Sequence, residues 1–348
     1  MARGVEFIEV DGSHGEGGGQ ILRIAVAFSA ILGRPVHVSK VRAGRAEPGL
    51  KKQHMWALRA LGEVFGGELT GVQEGSTEVT FVPGKTRRTV LTVDLQTAAS
   101  ITLVLQAVVP AVALSGNSLK LELVGGTDVP WSPTFDYLAE VVKPAYSSMG
   151  ISFEVRAPQR GYYPVGGGRV TAEVLPSEGV RAIDMTKLNG VPAPRVTSRC
   201  ASLPTHVAQR QADACVEYLS REGLAPSEVD VIDEKSRSPG SSILAWSVGG
   251  GAFMGADSLG ARGLPAEEVG QKAARQYVEA SRSGACVDAN LGDMIVPLLS
   301  MADGESTVTV PRITSHLESG LALAKLFTSC SYSTEDLGSK VLVRVNPS

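Results

Sequence analysis

The sequence predicts an α/β (α+β) protein made of three repeated βαβαββ units, with a small α/β domain inserted in the third. Three observations carry this. One succession of strand and helix patterns recurs three times, at a period of about 80 residues. Strands and helices alternate within each unit, which calls for sheets backed by helices on one face. The third unit is interrupted by a segment with strands and helices of its own. The expected division is a discontinuous body, 1–187 plus 283–348, and an inserted α+β domain, 188–282. A chain of 348 residues, 43% hydrophobic, supplies enough apolar material for a sizeable core.

The first unit runs from about Gly4 to Val82. It reads as a strand (Val5–Val10), a glycine-rich turn, a helix (Gln20–Leu32), a strand (Val36–Val41), a second helix (Leu50–Phe65) and two further strands. Ile21, Ile24, Ala25, Phe28 and Leu32 share one helical face. The second unit, Thr89–Val174, has a helix in SITLVLQAVVPAVAL, a strand in LKLELV, a helix beginning near Phe135 and two strands. Alternation over Ser118–Val124 marks a half-buried strand. The third begins with a strand near Val180–Met185 and resumes at Asp288. There follow a helix at Gly292–Met301, a strand at Ser306–Val310, a helix at Ser319–Phe327 and a strand at Val341–Val345. The intervening segment has a helix over Thr205–Arg221, a strand at Val229–Ile232 and a hairpin around Gly249–Gly251. Its second helix starts behind Pro265, with Glu267 and Glu268 favouring the first turn.

Composition narrows the function classes. Net charge is −3, so no global basic field marks a nucleic-acid partner. The start has no signal-peptide pattern, and the longest apolar run, Ile101–Leu114, is too short for a membrane span. Cys200, Cys215, Cys286 and Cys330 form no CxxC pair and read as buried thiols of a reducing compartment, most simply the cytoplasm.

Four segments could carry chemistry, and a fifth reads as mainly structural. In DGSHGEGGGQILR, residues 11–23, a strand ends, glycines turn the chain and a helix begins, an arrangement that offers backbone N–H groups to an anion. Glu16 within it would repel that anion unless a divalent cation stood between them. In VRAGRAEPGLKKQH, residues 41–54, Arg42 and Arg45 suit bidentate phosphate contacts, with Gln53 and His54 alongside. His316 lies in PRITSHLESG, on the loop before the last helix, and occupies the same place in its unit as RAGR and GGTDVPWSP in theirs. Proline and aromatics of GGTDVPWSPTFDYL, Pro133 among them, could frame a planar base. GYYPVGGG, residues 161–168, is a turn signal between strands.

Together these segments resemble the RNA 3′-terminal phosphate cyclases, over nearly the whole chain. GEGGGQILR with RAGRAxPG is the most specific pair. The resemblance implies a pseudo-threefold body with a small domain inserted in the third unit. It also implies ATP-dependent conversion of an RNA 3′-phosphate to a 2′,3′-cyclic phosphate with Mg or Mn. By that likeness His316 becomes a covalent histidine–AMP, and Glu16 holds the metal. Arg23, Arg42, Arg45, Gln53 and His54 then meet the RNA and nucleotide phosphates. Gln106, Pro133, Asn290, Leu291, Gly292, Asp293 and Met294 stand at the ATP positions. Implied partners are RNA with a 3′-terminal phosphate and a second copy in a homodimer, with no membrane. The chain departs from the family at Met294, where Asp293 is usually followed by Gln, and at Asn290, Gln96, Ala99, Ser319 and Gly320. Methionine cannot donate an amide hydrogen bond, which bears on nucleotide specificity and rate.

Two other classes compete. A non-catalytic RNA-processing or ribosome-assembly relative would share the fold, but retention of His316, Arg42, Arg45 and Glu16 speaks against it. An enolpyruvyl transferase would need six such units and a longer chain.

Overall fold

The computed structural model describes residues 6–15, 18–84 and 88–348. Strands β1 (Ile8–Asp11), β2 (Val36–Ser39), β3 (Glu68–Thr70) and β4 (Val79–Val82) form one sheet in the order β1-β2-β4-β3. Helix α1 (Gly19–Leu32) joins the parallel pair β1 and β2, and α2 (Lys52–Phe65) leads to the antiparallel pair β3 and β4. On β2, Val36 and Val38 are buried while His37 and Ser39 are half-buried, the alternation a one-sided sheet requires. His37 Nδ1 lies 2.6 Å from Glu9 Oε2, so this histidine is engaged on the sheet surface.

The second sheet has the same strand order, with β5 (Val90–Asp94), β6 (Leu119–Gly125), β7 (Phe153–Gln159) and β8 (Gly168–Val174) arranged β5-β6-β8-β7. Helix α3 (Ile101–Leu114) connects β5 to β6 and accommodates Pro110. The helix expected near Phe135 is composite: α4 (Phe135–Tyr137) widens into a π-helical turn (Leu138–Val142) and continues as α5 (Lys143–Ser148). After β9 (Asp184–Met185), the chain forms a sheet of β10 (Arg195–Ala201), β11 (Glu228–Glu234), β12 (Gly240–Gly249) and β13 (Ala252–Leu259), ordered β11-β10-β12-β13. Helices α6 (His206–Arg221) and α7 (Ala266–Arg282) pack against each other and on this sheet.

The chain then returns to β9. Helix α8 (Ala289–Ile295) precedes β14 (Ser306–Val310), and α9 (Ser315–Thr328) precedes β15 (Ser331–Asp336) and β16 (Val341–Asn346). The sheet order is β15-β16-β14-β9, with β9 and β14 parallel. Three sequence expectations change here. The single helix over Gly292–Met301 is α8 followed by a 3₁₀ turn (Val296–Met301), because Pro297 has no N–H to continue the α ladder. Strand β15 was not expected: all six of its residues are exposed, so SYSTED shows no apolar alternation. The last helix begins at Ser315 rather than Ser319, because the Thr314 side chain caps it by accepting from Leu317 N at 2.9 Å. His316 therefore stands in the first helical turn and not on a loop.

The main apolar core lies where α1 packs on α2, α3 and α9. Phe28 and Phe327 stack there at 5.5 Å between centroids. Each fully buried side chain of this kind contributes roughly 1.5–3 kcal/mol. A second, smaller cluster is formed by side chains from Val196 to Val278, including Leu219, Met254 and Tyr277. A buried ion network ties β10 to the loops of the second sheet. Arg160, 3% exposed, reaches Asp128 at 3.2 Å and Asp136 at 2.5 Å, and Arg199 Nε donates to Asp136 at 2.7 Å. All four cysteines are buried and free. Among the described residues no helix is long and apolar enough to cross a membrane.

Candidate active site

The glycine-rich turn is shaped by what crowds it. Gly15 has φ +58°, and a Cβ there would lie 2.3 Å from Ser319 Oγ on α9. A Cβ on Gly19 would lie 2.2 Å from His54 Nε2 on α2. Both positions therefore exclude a side chain, and the start of α1 is wedged between α2 and α9. Gly18, the residue before α1, marks the meeting point: a Cβ there would be 3.6 Å from Arg45 Nη2 and 3.8 Å from His316 Cε1. The glycine turn, the RAGR loop and the histidine helix thus converge on one spot.

The RAGR loop holds its shape from within. Lys40 and Arg42 both take positive φ, 52° and 56°. Arg42 Nη1 donates to the carbonyls of Glu47 at 3.0 Å and Gly49 at 2.8 Å, and Glu47 pairs with Lys51. Part of Arg42 is therefore spent on bracing the loop that carries Arg45. Burial and the neighbouring Arg45 lower the Arg42 pKa. His54 is 4% exposed, and its Nδ1 accepts from Lys51 N at 3.4 Å. Burial, then Arg23, Arg42 and Lys51, push its pKa down to about 3. A neutral imidazole facing three cations reports a strongly positive local field. Gln53 Nε2 sits 3.3 Å from His54 Nε2.

Arg23, one turn along α1, has no hydrogen-bond or ion-pair partner among the described residues. Burial lowers its pKa from 12.5 to about 10. It lines a cavity of about 60 Å³ together with Gln20, Gln106, Asp293 and Met294. Gln106 Nε2 donates to Met294 Sδ at 3.2 Å, and Gln20 Nε2 donates to the Asp293 carbonyl at 3.4 Å. The Thr314 hydroxyl donates to Asp293 Oδ1, so the residue capping the histidine helix also ties it to α8.

The remaining expected residues are more dispersed. The Pro133 carbonyl accepts from Thr102 Oγ1 at 2.8 Å, one turn before Gln106 on α3. Asn290 is exposed on α8. Leu291 is fully buried, and a Cβ on Gly292 would lie 2.8 Å from Val310 Cγ1. Leu291 thus belongs to the main core, and Gly292 lets α8 lie close on β14. Glu16, the expected metal ligand, lies outside the described residues. Among the described residues no three His, Cys, Asp or Glu side chains come together to hold a metal ion.

Sequence reasoning missed Thr314, Gln20 and Asp288. Asp288 caps α8, accepting from Leu291 N at 3.0 Å, Gly255 N at 3.0 Å and the Tyr137 hydroxyl at 2.8 Å. Burial raises its pKa to about 6. Thr314 and Asp288 are residue types that favour the N-cap, and that is the one signal that could have found them.

Residues 14–334 match the family model described as RNA 3′-terminal phosphate cyclase. The chain is 42% identical over 342 residues to the RNA 3′-terminal phosphate cyclase of Thermococcus kodakarensis, covering 98% of each. It is 40% identical over 347 residues to that of Caldivirga maquilingensis, covering 98% of each. It is 41% identical over 333 residues to that of Methanopyrus kandleri, covering 94% of this chain and 95% of the relative.

Proposed function

The chain belongs to the RNA 3′-terminal phosphate cyclase family, and we propose that it uses ATP to convert an RNA 3′-terminal phosphate into a 2′,3′-cyclic phosphate through a histidine–AMP intermediate. One observation carries the reading: His316 and Arg45 flank the same point at the start of α1, beside Arg23, a cation with no partner among the described residues. A nucleophile next to uncompensated positive charge suits attack on a phosphate ester.

In the first step an imidazole nitrogen of His316 bonds to the α-phosphorus of ATP. The bond to pyrophosphate breaks, and the ring proton passes to solvent. Neutral imidazole is a competent nucleophile near pH 7. The Arg45 guanidinium, which shares the Gly18 position with the His316 ring, meets developing charge on the phosphoryl oxygens. In the second step an oxygen of the RNA 3′-phosphate attacks that phosphorus and the P–N bond breaks, leaving AMP joined to the RNA end. In the third the adjacent 2′-OH attacks the 3′-phosphorus, loses its proton to solvent and expels AMP. Arg23, Arg42 and Arg45 hold the phosphates, and neutral His54 and Gln53 contribute hydrogen bonds without adding charge. Gln106, Pro133 and Asp293 contact the nucleotide, with Asn290 at the rim. Met294 engages the Gln106 amide and so reduces what that amide offers an adenine. A divalent cation on the triphosphate, with Glu16, would supply further charge neutralisation.

The accompanying fold reading is three copies of one βαβαββ unit about a pseudo-threefold axis, with 188–282 inserted as a small domain. The shared strand order of three sheets and the separate apolar cluster support it. Buried free cysteines suit the cytoplasm.

The deciding experiment is incubation with ATP labelled at the α-phosphate and Mg or Mn. Acid-labile label is expected on the wild-type protein and not on His316→Ala. Equal labelling of both, or of neither, refutes the nucleophile assignment. Labelling without cyclisation of a 3′-phosphorylated oligonucleotide would mean the acceptor is wrong.

A further inference from the structure

We propose that Trp131 and Tyr163 form a stacking surface for the single-stranded nucleotides immediately 5′ of the RNA terminal phosphate. The inference rests on the substrate class given under Proposed function, but on residues outside the site described there. Trp131 is 92% exposed and Tyr163 67%, the two most exposed large apolar side chains among the described residues. Rings of this size are ordinarily buried in part, so two left exposed on hydrogen-bonded loops call for a ligand.

Their loops are held rigidly. Trp131 takes φ +67°, a strained conformation for a residue with a side chain. Its neighbours fix it: Ser132 Oγ donates to Val129 O at 2.9 Å, and Thr134 N donates to Asp257 Oδ2 at 2.7 Å. The Tyr163 loop is locked to the same segment, with Thr127 N donating to Gly161 O at 2.8 Å and Gly161 N to Thr127 Oγ1 at 3.0 Å. A rigid backbone that presents an aromatic ring to solvent loses little entropy when a base stacks on it.

Charge and continuity commit the occupant. Tyr163 and Arg262 both line a cavity of about 890 Å³. A Cβ on Gly167, four residues past Tyr163, would meet Arg237 Cδ at 2.6 Å, so that basic stem lies against the same loop. Lys235, Arg237 and Arg262 are exposed, and none has an ion-pair partner among the described residues. Aromatic faces interleaved with free cations are what a sequence-tolerant single-strand site requires. Trp131 is two residues from Pro133, which is bonded to the helix bearing Gln106. A strand whose end reaches His316 would leave the site along this loop.

The test measures binding by His316→Ala protein, which separates affinity from turnover. The probes are a 5′-fluorescent single-stranded RNA 12-mer and a dinucleotide, both 3′-phosphorylated. The parent is expected to prefer the 12-mer. Trp131→Ala and Tyr163→Ala should each weaken 12-mer binding at least about fivefold and erode that preference. Arg237→Ala with Arg262→Ala should flatten its salt dependence. Unchanged 12-mer affinity in the Trp131→Ala/Tyr163→Ala double variant, or no 12-mer binding by the parent, overturns the proposal and assigns the rings to another partner. Aromatic-dependent 12-mer binding in a protein that neither labels nor cyclises would instead overturn the catalytic reading and leave this surface standing.

Discussion

Replacing Arg23 by methionine should make the ligand-free protein more stable while crippling it as an enzyme. Methionine keeps the unbranched apolar stem and has similar helix propensity, so the change isolates the guanidinium. Burial pushes the Arg23 pKa from 12.5 to about 10. At about 1.4 kcal/mol per tenfold change in an equilibrium constant, holding that charge costs the folded state up to about 3 kcal/mol. The cleft admits some solvent, which brings the expected cost to about 1–2 kcal/mol. The sign follows from linkage. A cation whose folded pKa lies below its unfolded value carries its full penalty below the folded value. The penalty is relieved only as pH rises from about 10 toward 12.5. From pH 7 to 9, Arg23→Met should therefore gain a nearly constant 1–2 kcal/mol or so in urea unfolding. Saturating inorganic phosphate should stabilise wild type more than the variant, because anion binding repays the buried charge. Cyclisation of a 3′-phosphorylated oligonucleotide should fall at least about tenfold, the loss of one charge-assisted contact. A variant less stable than wild type, or one stabilised equally by phosphate, would refute the argument that this guanidinium is uncompensated.

Two further outcomes follow from the same geometry. His54 titrates near 3 when folded and 6.5 when unfolded, so as pH falls below 6.5 the unfolded chain takes up a proton that the folded chain refuses. Stability should drop by about 2–3 kcal/mol between pH 7 and 4.5 on this account. His54→Gln should flatten that slope in urea titrations, and parallel slopes would exclude the mechanism. Thr314→Val removes both the helix cap and the hydroxyl bonded to Asp293. We expect a loss of about 1–2 kcal/mol and slower adenylylation at His316, with Thr314→Ser restoring most of both. Equal labelling rates in Thr314→Val and wild type would show that the cap does not position the histidine.

Much of the fold was legible because its elements obey local rules. Apolar spacing on α1 and alternation on β6 identify a helix and a strand without reference to anything distant. Strand β15 was invisible because none of its residues is buried, and a strand without an inward face has no period to read. The helix start at Ser315 escaped because its first turn is polar, and only the Thr314 cap announces it.

The site divides along the same line. The chemical kinds of its residues were legible in the sequence: a histidine, spaced arginines, and glycines where chain must approach chain. Local pattern determines these, whereas the departure at Met294 showed only through the resemblance to the family. Only tertiary structure decided that the three segments meet at Gly18, that Arg42 turns inward to brace its own loop, and that Leu291 and Gly292 serve packing. It alone gave Arg23 a cleft with no partner among the described residues and pushed His54 far below its ordinary range. The physical reason is that convergence, desolvation and field strength depend on groups far apart in the chain, and no local pattern encodes how close they come.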